Sequence, residues 1–120
     1  MIIARRFRNG DAAAVAQVVA TTLRTSNSKD YSAAYIEADV ARLNAQFFIN
    51  KAKQTHFYVF IQDGRIVGTG AIGSYWGSTT EYSLFTIFAL PSCQGQGLGR
   101  QIIETLEADE YFQRAERVEI

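Results

Sequence analysis

The spacing of apolar positions changes character several times along the chain, and each change marks an element. Ile2 to Phe7 predicts a first strand, closed by the turn pair Asn9-Gly10. The run AAAVAQVVATTL then repeats at helical intervals through Val15, Val18, Val19 and Leu23, which predicts a helix capped by Asp11. RTSNSKD is polar throughout and predicts a loop. A second helix is expected from a cap at Ser32 to about Asn44, with Tyr35, Ile36, Val40 and Leu43 on one stripe. AQFFINKAKQ is ambiguous by spacing and predicts a further short helical turn.

From His56 the pattern becomes that of strands. HFYVFIQ is rich in β-branched and aromatic side chains, Asp63-Gly64 is a strong hairpin signal, and RIVGTGAIGSYW supplies the returning strand. Gly68, Gly70 and Gly73 weaken that strand and predict a bend or a close approach by another group. After the turn GSTTE, YSLFTIFAL has no polar face and predicts a strand buried on both sides until Pro91 stops it. A helix follows from Gly97 to about Phe112, burying Leu98, Ile102 and Leu106, and RVEI opens a last strand. The order β-α-α-β-β-β-α-β predicts an α/β (α+β) fold, a central mixed sheet flanked by helices, with residues 1–120 forming a single domain. Because the chain stops at Ile120, inside that last strand, the domain is expected to be incomplete at its C-terminus.

Composition narrows the class. Lys and Arg together number 12, as do Asp and Glu, so the balance offers no basic excess to nucleic acid. The cluster Arg5-Arg6-Arg8 predicts the solvated side of an edge strand, with anion contact as the alternative. A single cysteine, Cys93, excludes an internal disulfide framework and fits a reducing compartment. No apolar run is long enough to span a bilayer, and the N-terminal one is too short for a secretory signal. A soluble cytoplasmic protein is expected.

The chemistry concentrates in LPSCQGQGLGRQ, Leu90 to Gln101, where glycines at 95, 97 and 99 stand between an apolar strand and a helix. A helix begins with N–H groups that lack internal partners and with the positive end of its dipole. Glycine lets the backbone approach an anion closely and aim successive amides at one point. With Arg100 adjacent, the segment predicts a phosphate or diphosphate site. A P-loop would need four residues between its glycines and then Lys-Ser or Lys-Thr, and a dinucleotide fingerprint would place G-x-G-x-x-G at the first strand; both fail on spacing. On the glycines alone, a purely structural turn stays open.

The flanks go further. Ala89-x-Pro91-x-x-Gln94-Gly95-x-Gly97-x-Gly99 closely resembles the acetyl-CoA signature of the GNAT superfamily of N-acetyltransferases, and the order of elements is similar to that fold. The resemblance implies an acyltransferase that uses acetyl-CoA as cosubstrate, without a metal, to acetylate an amine of a small molecule or peptide. It implies that backbone groups of Ile87, Phe88 and Ala89 pair with the pantetheine arm in a gap between the fourth and fifth strands. Gly95, Gln96, Gly97, Leu98, Gly99 and Arg100 would take the diphosphate, with Gln94 beside them also binding the cofactor, and an N–H near Phe88 would face the thioester carbonyl.

Attack by an amine also requires a proton acceptor. Glu119, where some relatives carry the base, and Glu81, just before the fourth strand, are the carboxylate candidates; each also fits an ordinary surface position. His56 is expected to be exposed or capping, Cys93 a bystander, and Tyr75 and Trp76 either pocket-lining or core aromatics. The family pattern continues past the fifth strand into a helix and two strands that carry a tyrosine acid and one wall of the acceptor site. A chain ending earlier suggests a second class, a non-catalytic CoA-binding remnant or interaction module, and an exposed sheet edge suited to homodimer pairing.

Overall fold

The computed structural model describes residues 1–26, 30–74, 78, 80–93 and 95–119. One sheet runs in the order β1 (Ile2–Arg6), β2 (Thr55–Gln62), β3 (Arg65–Ser74), β4 (Glu81–Ala89), β5 (Arg117–Glu119). The first four strands are antiparallel neighbours, and β5 joins β4 in parallel. Helices α1 (Ala12–Ser26), α2 (Ala33–Arg42) and α3 (Ala45–Gln54) cover one face. The other face carries α4 (Leu98–Glu107) and α5 (Glu110–Arg114). Alternation along β2 builds both cores at once: Phe57 and Val59 pack with Val15, Val19 and Phe48, whereas Phe60 packs with Leu98, Ile102 and Leu106. The glycines of β3 serve this packing, since a Cβ at Gly70 would lie 2.7 Å from the Ile102 side chain. The close approach expected there is that of α4.

Several local expectations are corrected. AQFFINKAKQ is a full ten-residue helix rather than a short turn, because the Asn44 side chain accepts from Phe47 N–H and starts α3 at the residue where α2 had been expected to end. Tyr35 is 54% exposed and stacks on Tyr31, so Ile36 and Leu43 anchor α2 without it. Asp11 lies in a single 3-10 turn leading into α1. Its carboxylate accepts from Arg8 N–H at 2.8 Å and from the Arg5 guanidinium at 2.8 and 2.9 Å. The bond from Arg5 outweighs burial and, with the Arg8 amide, holds the Asp11 carboxyl below its ordinary value. Asp11→Ala is therefore expected to cost about 1–2 kcal/mol. A carboxyl whose folded pKa is depressed contributes fully above its unfolded pKa of about 4, and that contribution disappears as pH falls through the folded value. Urea melts of wild type and variant should differ at pH 7, and the difference should shrink as pH falls below about 4.

The long helix expected from Gly97 to about Phe112 breaks after Glu107. Asp109 is 5% exposed, and its carboxylate accepts from Tyr111 N–H (2.8 Å), capping α5. The same carboxylate receives His56 Nδ1 at 2.9 Å and the Tyr58 hydroxyl at 2.5 Å, both projecting from β2. His56 is thus mostly buried rather than exposed, its ring stacked 3.6 Å from that of Tyr111. Since a carboxylate only accepts, Nδ1 is the donor in that bond. Cys93 is a buried free thiol.

Candidate functional site

β4 supplies the edge on which the site is built. Glu81, Tyr82 and Ser83 pair with Arg117, Val118 and Glu119 of β5. Among the described residues no strand pairs with the outer edge of β4 from Leu84 to Phe88, a length of roughly 13 Å. This corrects the expectation of a strand buried on both sides: Tyr82, Ser83 and Leu84 are buried, but Phe85 to Ala89 are not, and Ile87 is 37% exposed. The ladder to β3 also slips. Thr69 pairs with Phe88 and Ala71 with Phe85, leaving Thr86 and Ile87 together opposite Gly70. Thr86 takes φ +49°, a left-handed conformation that β-branched residues seldom adopt.

This edge leads to the glycine turn. Leu90 N–H bonds the Val67 carbonyl, Pro91–Cys93 forms a single 3-10 turn, and Gly95 and Gly97 follow at φ +86° and +80°. No side chain caps α4, and the N–H groups of Leu98, Gly99 and Arg100 meet no acceptor among the described residues. Gly95 and Gly97 are explained by their positive φ. Gly99 is not, because it has an ordinary helical backbone and a Cβ there would meet nothing within 4 Å. Alanine at 99 would favour the helix by roughly 1 kcal/mol. The missing side chain instead leaves the helix N-terminus bare toward the space in front of it, which is what a diphosphate held by backbone amides requires.

The remaining candidates fall into place around this line. Ile87, Phe88 and Ala89 form the end of the strand, with Phe88 partly buried against the α1–α3 core. The Thr22 hydroxyl of α1 donates to the Val18 carbonyl at 2.8 Å and lies 3.3 Å from the Ala89 carbonyl, where α1 meets the end of β4. The Leu98 side chain is 1% exposed and belongs to the core, so only its amide faces the turn. Gln96 is exposed, its side-chain amide donating to the Ser92 carbonyl at 3.4 Å. Arg100 is exposed and engages Glu104 at 2.8 Å, a surface pair of small worth. Gln94, Tyr75 and Trp76 lie outside the described residues. Glu81 and the Glu119 backbone stand at the paired end of β4, two residues apart along the ladder; the Glu119 side chain lies outside the description. Glu81 is 3.8 Å from the Arg117 guanidinium.

A cleft of about 620 Å³ between α1 and the β2–β3 hairpin is lined by Arg5, Asp11 and Arg65 among others, but by none of residues 95–100. Among the described residues no three His, Cys, Asp or Glu side chains are placed to hold a metal, and no helix is long and apolar enough to cross a membrane.

A mixed sheet with a bulged, partly unpaired strand running into a glycine turn and a helix without a side-chain cap defines a protein of the mixed α/β class. The chain belongs to the acetyltransferase (GNAT) family, whose model matches residues 20–120. No curated protein sequence matches it. Its fold is similar to that of a PaiA N-acetyltransferase from Thermoplasma acidophilum, solved with coenzyme A, with TM-score 0.80 and 15% identity over 89% of this chain and 70% of that one. A GNAT acetyltransferase from Brucella melitensis, solved with acetyl-CoA, gives TM-score 0.64 and 25% identity over 88% and 66%. A GCN5-related N-acetyltransferase from Ralstonia eutropha gives 0.73 and 12% over 98% and 81%.

Proposed function

We propose that this chain binds acetyl-CoA and transfers its acetyl group to an amine of a small molecule or peptide. The observation that carries the reading is Gly99, a glycine in the first turn of α4 that neither backbone conformation nor packing demands; a side chain there would crowd an anion held at the helix N-terminus. Family membership and the relatives solved with coenzyme A or acetyl-CoA support it.

Bound acetyl-CoA would supply an acyl group that an amine nitrogen takes directly from sulfur. The residues of the chain divide the remaining work. Amides of Gly95 to Arg100 hold the diphosphate, and the outer edge of β4 through Ile87, Phe88 and Ala89 aligns the arm as an added strand. An N–H near Phe88 donates to the thioester oxygen and stabilises the charge that develops there. Glu81 or Glu119, at the paired end of β4, accepts the proton of the attacking amine through a chain of waters.

The test is release of free thiol from acetyl-CoA against a panel of amines. Thiol release that depends on the amine is expected, with Glu81→Gln or Glu119→Gln lowering the rate by about tenfold to a hundredfold. Tight binding without thiol release from any amine would favour the non-catalytic CoA-binding module.

A further inference from the structure

The bulge in β4 needs something to hold it. Thr86 sits in the left-handed region without being glycine, and the extra residue interrupts the ladder to β3. Its own hydroxyl oxygen does not compensate, being buried without a hydrogen-bond partner among the described residues. Thr69, fully buried on β3, donates its hydroxyl to the Thr86 carbonyl at 2.7 Å. One buried side chain thus satisfies the backbone group that the bulge displaces.

The bulge matters because an inserted residue reverses the alternation of the strand beyond it. It decides which N–H and C=O groups of Ile87 and Phe88 face the outer edge and which face β3. We propose that Thr69 is a positioning residue for the cosubstrate: its hydroxyl locks the bulge, and the bulge sets the hydrogen-bonding pattern presented to the pantetheine arm. The proposal rests on the reading that this edge takes that arm.

The experiment compares Thr69→Val, which keeps the shape and loses the hydroxyl, with Thr69→Ser, which keeps the hydroxyl. Thr55→Val serves as control, since Thr55 donates a 2.8 Å bond to the Lys51 carbonyl at the start of β2, away from the edge. Calorimetric titration with acetyl-CoA is expected to show Thr69→Val weakened about tenfold, with Thr69→Ser and Thr55→Val within about twofold of wild type. In the ligand-free protein, amide hydrogen exchange at Phe88, which pairs with Thr69 in the ladder, should quicken about tenfold in Thr69→Val alone. Should valine prevent folding, Thr69→Ala repeats the loss of the hydroxyl. Unchanged exchange in the variants lacking the hydroxyl, or equal weakening by serine and valine, overturns the latch. If the wild type takes up no acetyl-CoA, the reading of the edge falls, and the proposal with it; the exchange result then still reports whether Thr69 holds the bulge.

Discussion

Replacing Gly99 with glutamate is expected to weaken acetyl-CoA binding by about a hundredfold while leaving the free protein at least as stable as before. Both halves follow from the position. Side chains on a helix lean toward its N-terminus, so a carboxylate at 99 would project into the space where the diphosphate is proposed to lie. Two anions about 4 Å apart in a partly desolvated site repel by several kcal/mol, more than enough for the stated loss. Without ligand, the same carboxylate in the first turn of α4 interacts favourably with the helix dipole, and the position has room for it. Gly99→Ala should show the milder version: folding stabilised by roughly 0.5–1 kcal/mol and binding weakened by about tenfold. Opposite signs for stability and affinity separate a ligand site from a structural turn. Gly97 would be the poorer choice, since at φ +80° any side chain strains the backbone and confounds the two effects. Calorimetry and thermal melts on the same samples check this, and equal affinity of wild type and Gly99→Glu would contradict it.

The second large effect concerns stability. Asp109→Ala is expected to cost about 3 kcal/mol, lowering the melting temperature by about 10 °C. The carboxylate accepts from Tyr58, His56 and the Tyr111 amide, and its removal leaves buried donors unmatched while uncapping α5. Burial by itself would raise the Asp109 carboxyl; the donors, Tyr58 foremost and then His56, outweigh it and hold the group below its ordinary value. Burial and then the bond to Asp109 push the Tyr58 phenol up. With its folded pKa depressed, Asp109 contributes fully above the unfolded pKa of about 4 and loses that contribution as pH drops through the folded value. Thermal melts at pH 7 should show the whole difference between wild type and variant, and melts near pH 3 a smaller one. A variant that melts within about 2 °C of wild type at pH 7 would refute the network's role.

The unequal legibility of the chain has physical causes. The Asp63-Gly64 hairpin and the glycine turn are local devices in which residue type dictates backbone conformation, and both are where the residues predict. The helical stripe of α1 is equally self-contained. The break between α4 and α5 is not: LEADEYFQR reads as continuous helix, and Asp109 ends it by meeting His56 and Tyr58 from a strand more than fifty residues earlier. The half-open state of β4 depends on how far β5 pairs along it, a non-local fact that no apolar run discloses. Thr86 did leave a trace, as the one polar residue between Leu84 and Leu90; its partner Thr69, set between two glycines, gave no comparable signal. α3 is legible from its spacing only as a short turn; its full length depends on Asn44 acting as its cap rather than as the end of the preceding helix.

The central claim is that the amides around Gly95, Gly97 and Gly99 grip a diphosphate. Titrating ¹⁵N-labelled protein with coenzyme A tests it most directly, because each of those glycines has its own amide resonance. Large, saturable shifts at all three, with the β1–β2 side of the sheet unmoved, are the predicted result. Glycine resonances that stay in place at saturating coenzyme A would contradict the claim.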